Sequence, residues 1–298
     1  MDLLHLDNPS AASEWCALQR EQGRSLGFVA TMGALHSGHM SLVRRAAAEN
    51  DLVAVSVFVN PLQFNDPGDL DRYPRQLEGD CALVAEAGGS MLFTGSLEEF
   101  FPGKLAQDGG LEASAMVDPG SGAEGLEGEF RPGHFAGVAT IVKRLFEVTQ
   151  PTRAYFGLKD FQQCLVVRDL ALAQGRPEVV LCPTVREQDG LALSSRNLLL
   201  SDEWRAEAPR IQQALRATRA LWQQGQREAS ILGACLGEGL ADSPLDVEYA
   251  AVRDSLTWTR AEPEGSLLQA VGLVAAKAGE VRLIDNLLLH TDGGVDSV

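Results

Sequence analysis

Thr31-Met32-Gly33-Ala34-Leu35-His36-Ser37-Gly38-His39 sets two imidazoles three residues apart in a segment with two glycines. A short apolar run precedes it, and a helical pattern opens at His39. The unpaired N–H groups of a first helical turn, with the helix dipole, make an anion site. Gly33 and Gly38 allow close approach of backbone and ligand. Both histidines can donate to phosphate oxygens there. An HxxH pair alone reads equally well as two capping histidines, and it lacks the i,i+4 spacing of a zinc-binding HExxH. The succession strand, loop, HxGH, helix is the more specific signal.

Two further segments carry phosphate chemistry. Phe156-Gly157-Leu158-Lys159-Asp160-Phe161-Gln162-Gln163 leads from a strand into a helix start, with Asp160 placed as N-cap. Lys159 is either a surface side chain or a point charge on a polyphosphate. Leu193-Ser194-Ser195-Arg196-Asn197 offers two hydroxyls and a bidentate guanidinium. For Ser-Ser-Arg alone, a capped turn is the simpler reading. Asn60 and Gln63 follow a buried apolar run. Neutral amides donate to carboxylate and accept from hydroxyl, which suits a small hydroxy acid; the alternative is a turn capped by Asn60. His134, in Arg131-Pro132-Gly133-His134, is either a ligand or a residue that only starts a helix.

These groups need a scaffold. Ser25–Ala30 is a short apolar run, and Met40, Leu42, Val43 and Ala46–Ala48 fit a 3.6 period. Leu52–Val59 is apolar on both alternating sets, as in a strand of a parallel sheet buried on both faces. This β–loop–α–β succession implies a right-handed crossover. The alternation continues with a helix over Gln76–Ala87 and a strand over Ser90–Phe93. A helix over Gly137–Thr149 is halted by Gln150-Pro151, and Ala154–Phe156 is a strand. A helix over Phe161–Ala173 and a strand over Glu178–Leu181 follow. Residues 1–184 therefore predict an α/β domain, Rossmann-like and doubly wound on a parallel sheet, with its ligand at the strand C-terminal ends. Residues 185–298 predict a smaller C-terminal α+β domain. It has one long helix over Asp202–Gln224, a second over Glu228–Leu240, and strands over Asp246–Val252, Leu267–Ala275 and Val281–Ile284. Residues 98–129 hold eight acids, one base and seven glycines, and predict irregular, solvent-rich structure.

The 298 residues carry 25 basic and 41 acidic side chains, a net charge of −16. That balance excludes a general nucleic-acid surface, which needs excess Lys and Arg. It also argues against anionic membranes. Local positive potential near the motifs would come from Arg131, Lys159, Arg186 and Arg196. The first residues, Met1-Asp2-Leu3-Leu4-His5, do not read as a signal peptide. No apolar stretch approaches the ~18 residues of a membrane span. The five cysteines are scattered without a CxxC pair, as small buried hydrophobes in a reducing compartment. A cytoplasmic protein is expected, with no nucleic-acid or membrane partner.

TMGALHxGH, FVNPxQF, YPR, RPGHF, AYFGxKDFQQ, PTVRExDGLALSSRN and RLIDN occur in that order between Phe28 and Asn286. With these, the chain resembles the pantoate–β-alanine ligase family of HxGH nucleotidyltransferases over nearly its whole length. The resemblance implies a nucleotide- and pantoate-binding domain, a C-terminal lid and a homodimer. It implies ATP as substrate, bound by Met32, Gly33, Ala34, Leu35, His36, Ser37, Gly38 and His39. Gly157, Leu158, Lys159, Asp160, Val185, Leu193, Ser194, Ser195 and Arg196 complete that set. His39, His36, Lys159 and Arg196 are expected to be catalytic. Gln63 matches a position that meets both pantoate and β-alanine, and Gln163 one that meets pantoate. Asn60 joins the pantoate set from its place after the buried strand. Asp80, in Glu78-Gly79-Asp80, is a candidate ligand for Mg²⁺, an ion expected to sit mainly on ATP oxygens and water.

The sequence departs from the family pattern at Ala30 (usually Pro), Ser37 (Glu in HEGH) and Leu158 (Glu in GEKD). The Ala30 change is expected to loosen that turn. The two lost acids remove no phosphate donor, so activity is expected to survive.

The implied reaction joins (R)-pantoate to β-alanine with ATP, giving pantothenate, AMP and pyrophosphate through pantoyl adenylate. A carboxylate of pKa near ~4 is already ionised, so adenylation needs alignment and charge stabilisation, not a base. The second step must take a proton from the β-alanine ammonium; water, a substrate phosphate or a histidine are the acceptors to consider. The mixed anhydride needs protection from water, which motivates a lid. Three other readings share features. A nucleotidyltransferase with a phosphorylated acceptor would release no AMP. A tRNA synthetase fragment would need a basic surface. A nucleotide-binding regulator without turnover draws on the Ser37 and Leu158 departures.

Overall fold

Six strands build the sheet of the first unit: β1 (Leu4–Leu6), β2 (Leu26–Thr31), β3 (Leu52–Val57), β4 (Met91–Phe93), β5 (Arg153–Gly157) and β6 (Glu178–Cys182). The computed structural model describes residues 3–65 and 67–290. The strand order is β1-β4-β3-β2-β5-β6. Pairs β1–β4, β4–β3, β3–β2 and β2–β5 are parallel, with Leu26 opposite Leu52 and Thr31 opposite Val57. Five of the six residues of β3 are buried, which is why its apolar residues do not alternate with polar ones. The chain winds outward from β2 through β3 to β4, then resumes at β5 on the other side of β2. The winding direction reverses between β2 and β5, and open α/β sheets bind ligands outside the strand ends at such a point.

The helix Ser37–Glu49 connects β2 to β3, and Leu77–Glu86 lies between β3 and β4. His134–Thr149 buries Val138, Ile141, Val142, Leu145 and Phe146 at helical spacing, in one cluster with Phe28, Phe93 and Phe156. Pro9–Glu21 adds Ala12 and Cys16 to that core. Its start is capped by Asn8 Oδ1, which accepts from Ala11 N at 2.8 Å, with Pro9 in the first turn. All five cysteines are free thiols. Burial pushes the Cys16 thiol up to about 12, so it packs as a hydrophobe.

The second unit packs helices Arg210–Gln223 and Ala229–Ala241 with an antiparallel sheet of β7 (Asp246–Asp254), β8 (Ala270–Ala278) and β9 (Val281–Leu288), in the order β7-β8-β9. The single long helix expected over Asp202–Gln224 is instead two, Asp202–Glu207 and Arg210–Gln223. Pro209 separates them: it has no N–H to donate, and its ring clashes with the carbonyl four residues back. β8 begins at Ala270, not at Leu267, and Leu268 is exposed before it.

The second unit takes more than the chain from Cys182 onward; it also includes Glu124–Glu127 and Gly157–Phe161. A linear cut at 184 misses these excursions because contacts distant in sequence hold them. Arg282 donates to both Glu127 oxygens at 2.6 and 2.7 Å and to Glu248 at 2.7 Å. The Tyr249 hydroxyl donates to Glu127 at 3.0 Å. Residues 98–129 are mostly turns, but not wholly solvated. Short helices occur at Leu97–Phe100 and Leu126–Phe130, and Phe100 is buried against Phe58 and Phe93.

Gly137 lets the His134–Thr149 helix approach the Asn60–Gln63 turn. A Cβ there would lie 2.2 Å from Leu62 O and 2.8 Å from Gln63 N, both backbone atoms. Overpacking of this kind costs about 1–3 kcal/mol. Gly137→Ala is expected to lower the urea midpoint accordingly; an unchanged midpoint would contradict the close approach.

Candidate active site

In the first unit, β2 ends at Thr31, whose hydroxyl donates to Ser56 O at 2.7 Å and accepts from Gly33 N at 3.3 Å. After Met32, two successive residues take positive φ, +86° at Gly33 and +50° at Ala34. Ala34 is a non-glycine residue in the left-handed region, where the strain is about 1–2 kcal/mol. Asp80 compensates. Its Oδ2 accepts from Ala34 N at 3.1 Å and its Oδ1 from Leu35 N at 2.8 Å. Asp80 is only 2% exposed. Burial pushes its carboxyl up, and the bonds from Leu35 and Ala34 pull it back. Asp80 thus clamps the loop with both oxygens. Among the described residues, no group of three or more His, Cys, Asp or Glu side chains is arranged to hold a metal ion.

Beyond the clamp, His36 is the N-cap of Ser37–Glu49. Its Nδ1 accepts from Gly38 N at 3.2 Å, and His39 Nδ1 accepts from His36 N at 3.4 Å. The helix starts at Ser37, two residues before the expected His39. The two rings lie 4.1 Å apart between centroids. An accepting Nδ1 carries no proton, so each neutral ring has its proton on Nε2. The capping reading and the phosphate-donor reading of HxGH are therefore compatible. The Ala34, Leu35 and Gly38 amides all have partners within the protein, so these residues shape the site more than they donate to it.

Asn60 realises the capped turn. Its Oδ1 accepts from Leu62 N at 3.2 Å, and its Nδ2 donates to Gly137 O at 3.2 Å and Gln63 Oε1 at 3.0 Å. Gln63 Nε2 donates to Met32 Sδ at 3.2 Å. Gln63 is also held from its backbone. His134 Nδ1 donates to Gln63 O at 2.9 Å, and Arg131 donates to the same carbonyl at 3.2 Å. Arg131 also lies 3.2 Å from His134 Nε2, which selects the Nδ1–H tautomer. His134 and Arg131 thus orient Gln63 through its main chain. Gln163 is half-buried in the first turn of Phe161–Gln174. Ala30 continues β2 opposite Ser56, so no turn needs a proline there.

In the second unit, Leu158–Asp160 is one 3₁₀ turn that leads directly into Phe161–Gln174. Lys159 Nζ lies 3.8 Å from Asp160 Oδ1. Leu158 is buried, as suits its apolar side chain. Val185 and Leu193 are brought together by a narrow pairing: Leu193 N donates to Val185 O at 2.9 Å, and Arg186 bridges Ala192. Ser194 then caps the 3₁₀ turn Ser195–Leu199, its Oγ accepting from Arg196 N at 3.3 Å. Arg186, expected to add positive potential, is consumed in a bidentate pair with the buried Asp285 at 2.6 and 3.0 Å. Asp285 and Asn286 were visible only as part of RLIDN; nothing local in that segment points to a role at Lys159.

The chain matches the pantoate-beta-alanine ligase family over residues 5–288. A pantothenate synthetase of Gluconobacter oxydans (strain 621H) is 46% identical over 267 residues, 89% of this chain and 94% of that protein. One from Rubrobacter xylanophilus is 46% identical over 287 residues, 95% of this chain and 98% of that protein. The crystal structure of pantothenate synthetase from Thermus thermophilus superposes with a TM-score of 0.86 at 44% identity, covering 97% of this chain and 100% of that one. A pantoate-beta-alanine ligase from Francisella tularensis, complexed with beta-gamma ATP and beta-alanine, gives 0.75 at 32% identity, with 97% and 99% covered.

The Asp80 clamp can be tested directly. Asparagine at 80 keeps one acceptor and turns an NH₂ toward a backbone N–H, leaving a buried donor unpaired at about 1–3 kcal/mol. Asp80→Asn is expected to lower the thermal midpoint and to speed amide exchange over residues 33–39. Unchanged exchange in that stretch would show that the loop does not depend on the carboxylate.

Proposed function

The chain belongs to the pantoate–β-alanine ligase family, and from that premise we propose how its residues divide the family's reaction. The enzyme is an ATP-dependent ligase that condenses (R)-pantoate with β-alanine, giving pantothenate, AMP and pyrophosphate through pantoyl adenylate. The observation that carries the residue assignment is the double cap at His36 and His39. It holds both rings with Nδ1 on the backbone, so that Nε2–H is the donor each offers to phosphate.

In the first step a pantoate carboxylate oxygen attacks the α-phosphorus of ATP, and the bond to pyrophosphate breaks. The nucleophile is already ionised, so the protein supplies alignment and donors. His36, His39, Lys159 and Arg196 are assigned to the phosphates as catalytic groups, with Ser194 and Ser195 beside them. Met32–Leu35, Ser37, Gly38, Gly157, Leu158, Asp160, Val185 and Leu193 form the rest of the ATP set. Gln63 is assigned to pantoate and β-alanine. Its amide NH₂ rests on a thioether, a weak acceptor that a carboxylate readily replaces. Gln163 is assigned to pantoate, and Asn60 acts on the same substrate through Gln63.

In the second step the β-alanine amine attacks the acyl carbon and AMP leaves. The amine must first lose a proton. Asp80 is unsuited as its base, since both of its oxygens are engaged with the loop. Mg²⁺ is best regarded as part of the substrate, held by ATP oxygens and water. A homodimer in the cytoplasm completes the reading. Among the described residues, no helix is long and apolar enough to cross a membrane.

The test omits pantoate and β-alanine in turn from an AMP and pyrophosphate assay. Isotope is expected to exchange between pyrophosphate and ATP with pantoate alone. His39→Ala and Lys159→Ala are each expected to cut pantoate-dependent pyrophosphate release at least ~100-fold. Near-normal adenylation by either folded variant would refute its assignment. Light scattering should give twice the chain mass; a single chain mass would remove the dimer.

A further inference from the structure

Lys159 stands on the 3₁₀ turn Leu158–Asp160. Two consecutive carbonyls of that turn meet one side chain. Asn286 Nδ2 donates to Leu158 O at 2.9 Å and to Lys159 O at 2.8 Å. Asn286 is 5% exposed and sits in β9. An Asn amide has two N–H bonds, and both are spent on the peptide units that bracket Lys159. An apolar side chain of the same size would leave both carbonyls short of a donor.

Asn286 is itself fixed from both sides of its backbone. Its N–H donates to Asp285 Oδ1 at 2.8 Å, and its carbonyl accepts from Arg186 at 3.1 Å. Asp285, 5% exposed, takes both arms of the Arg186 fork, and Arg186 also donates to Gly190 O at 3.2 Å. Burial pushes the Asp285 carboxyl up; the positive charges of Arg186 and, more weakly, Lys159 oppose it. A buried ion pair adds little net stability, but removing one partner is costly, because it leaves a charge unpaired.

We propose that Asn286 is a positioning residue for Lys159. Arg186 and Asp285 hold its main chain, and its amide holds the turn that aims the Lys159 ammonium at the phosphates of ATP. The proposal rests on the reading of Lys159 as a phosphate ligand. It assigns the RLIDN segment a task in adenylation without contact with the substrate.

A double-mutant cycle with Asn286→Ala, Lys159→Ala and the combined variant tests this, reading pantoate-dependent pyrophosphate release against ATP at saturating pantoate. Asn286→Ala is expected to lower kcat/KM for ATP about 10- to 100-fold, as for a misplaced catalytic group. In the Lys159→Ala background the same change is expected to cost less than about twofold. Asn286→Ser keeps a shorter donor and should recover part of the activity. It replaces Asn286→Ala throughout the cycle if circular dichroism shows that variant unfolded. An equal loss in both backgrounds, or no loss in either, overturns the proposal while leaving Lys159 its role. A near-normal Lys159→Ala overturns the role of Lys159 and the proposal with it.

Discussion

One buried carboxylate organises the loop that leads into the HxGH segment. Asp80 accepts from two successive amides, those of Ala34 and Leu35. This holds Ala34 at a φ of +50° that alanine does not adopt by preference. Hydrogen bonds to a charged group contribute about 1.5–3 kcal/mol each. The left-handed strain at one residue is about 1–2 kcal/mol, and these bonds are set against it and against the cost of burying the carboxylate. With the turn held, His36 reaches the cap position and His39 follows one turn into the helix. The orientation of both imidazoles is thus a consequence of an acid more than forty residues away in the chain.

The same device recurs at Gln63 and at Lys159. Arg131 and His134 hold the carbonyl of Gln63, and Asn60 holds its amide. Asn286 holds the peptide units around Lys159. In each case a polar side chain orients backbone or another side chain. That suits an adenylation whose nucleophile arrives ionised. Such a step gains from alignment and fixed dipoles more than from proton transfer.

Several elements were legible because their local signals agree. The apolar run of β3 and the 3.6 period of Ser37–Glu49 predict the β–α–β unit within one or two residues. The helix Pro9–Glu21 carried its own start signal, Asn8-Pro9, but its buried face of Ala12, Cys16 and Gln19 is too weakly apolar to stand out. The long helix over 202–224 failed at a residue that announces the break, Pro209. The acidic stretch 98–129 reads as irregular and solvent-rich from its composition, and within it Phe100 anchors the start and Glu127 binds Arg282.

Residue types and spacing, with no structure, determined the fold class, the family and which side chains are chemically able to meet phosphate, carboxylate and hydroxyl. These follow from periodicity and from contiguous motifs, which a linear reading sees. Tertiary structure alone decided how those side chains are held. It gave Asp80 the two amides of a strained loop to hold, and it made Arg186 the partner of a buried acid. It also joined Asn286 to a turn 127 residues earlier. Hydrogen bonds between positions so far apart leave no local pattern, because each partner satisfies a donor or acceptor that only the folded chain brings within reach.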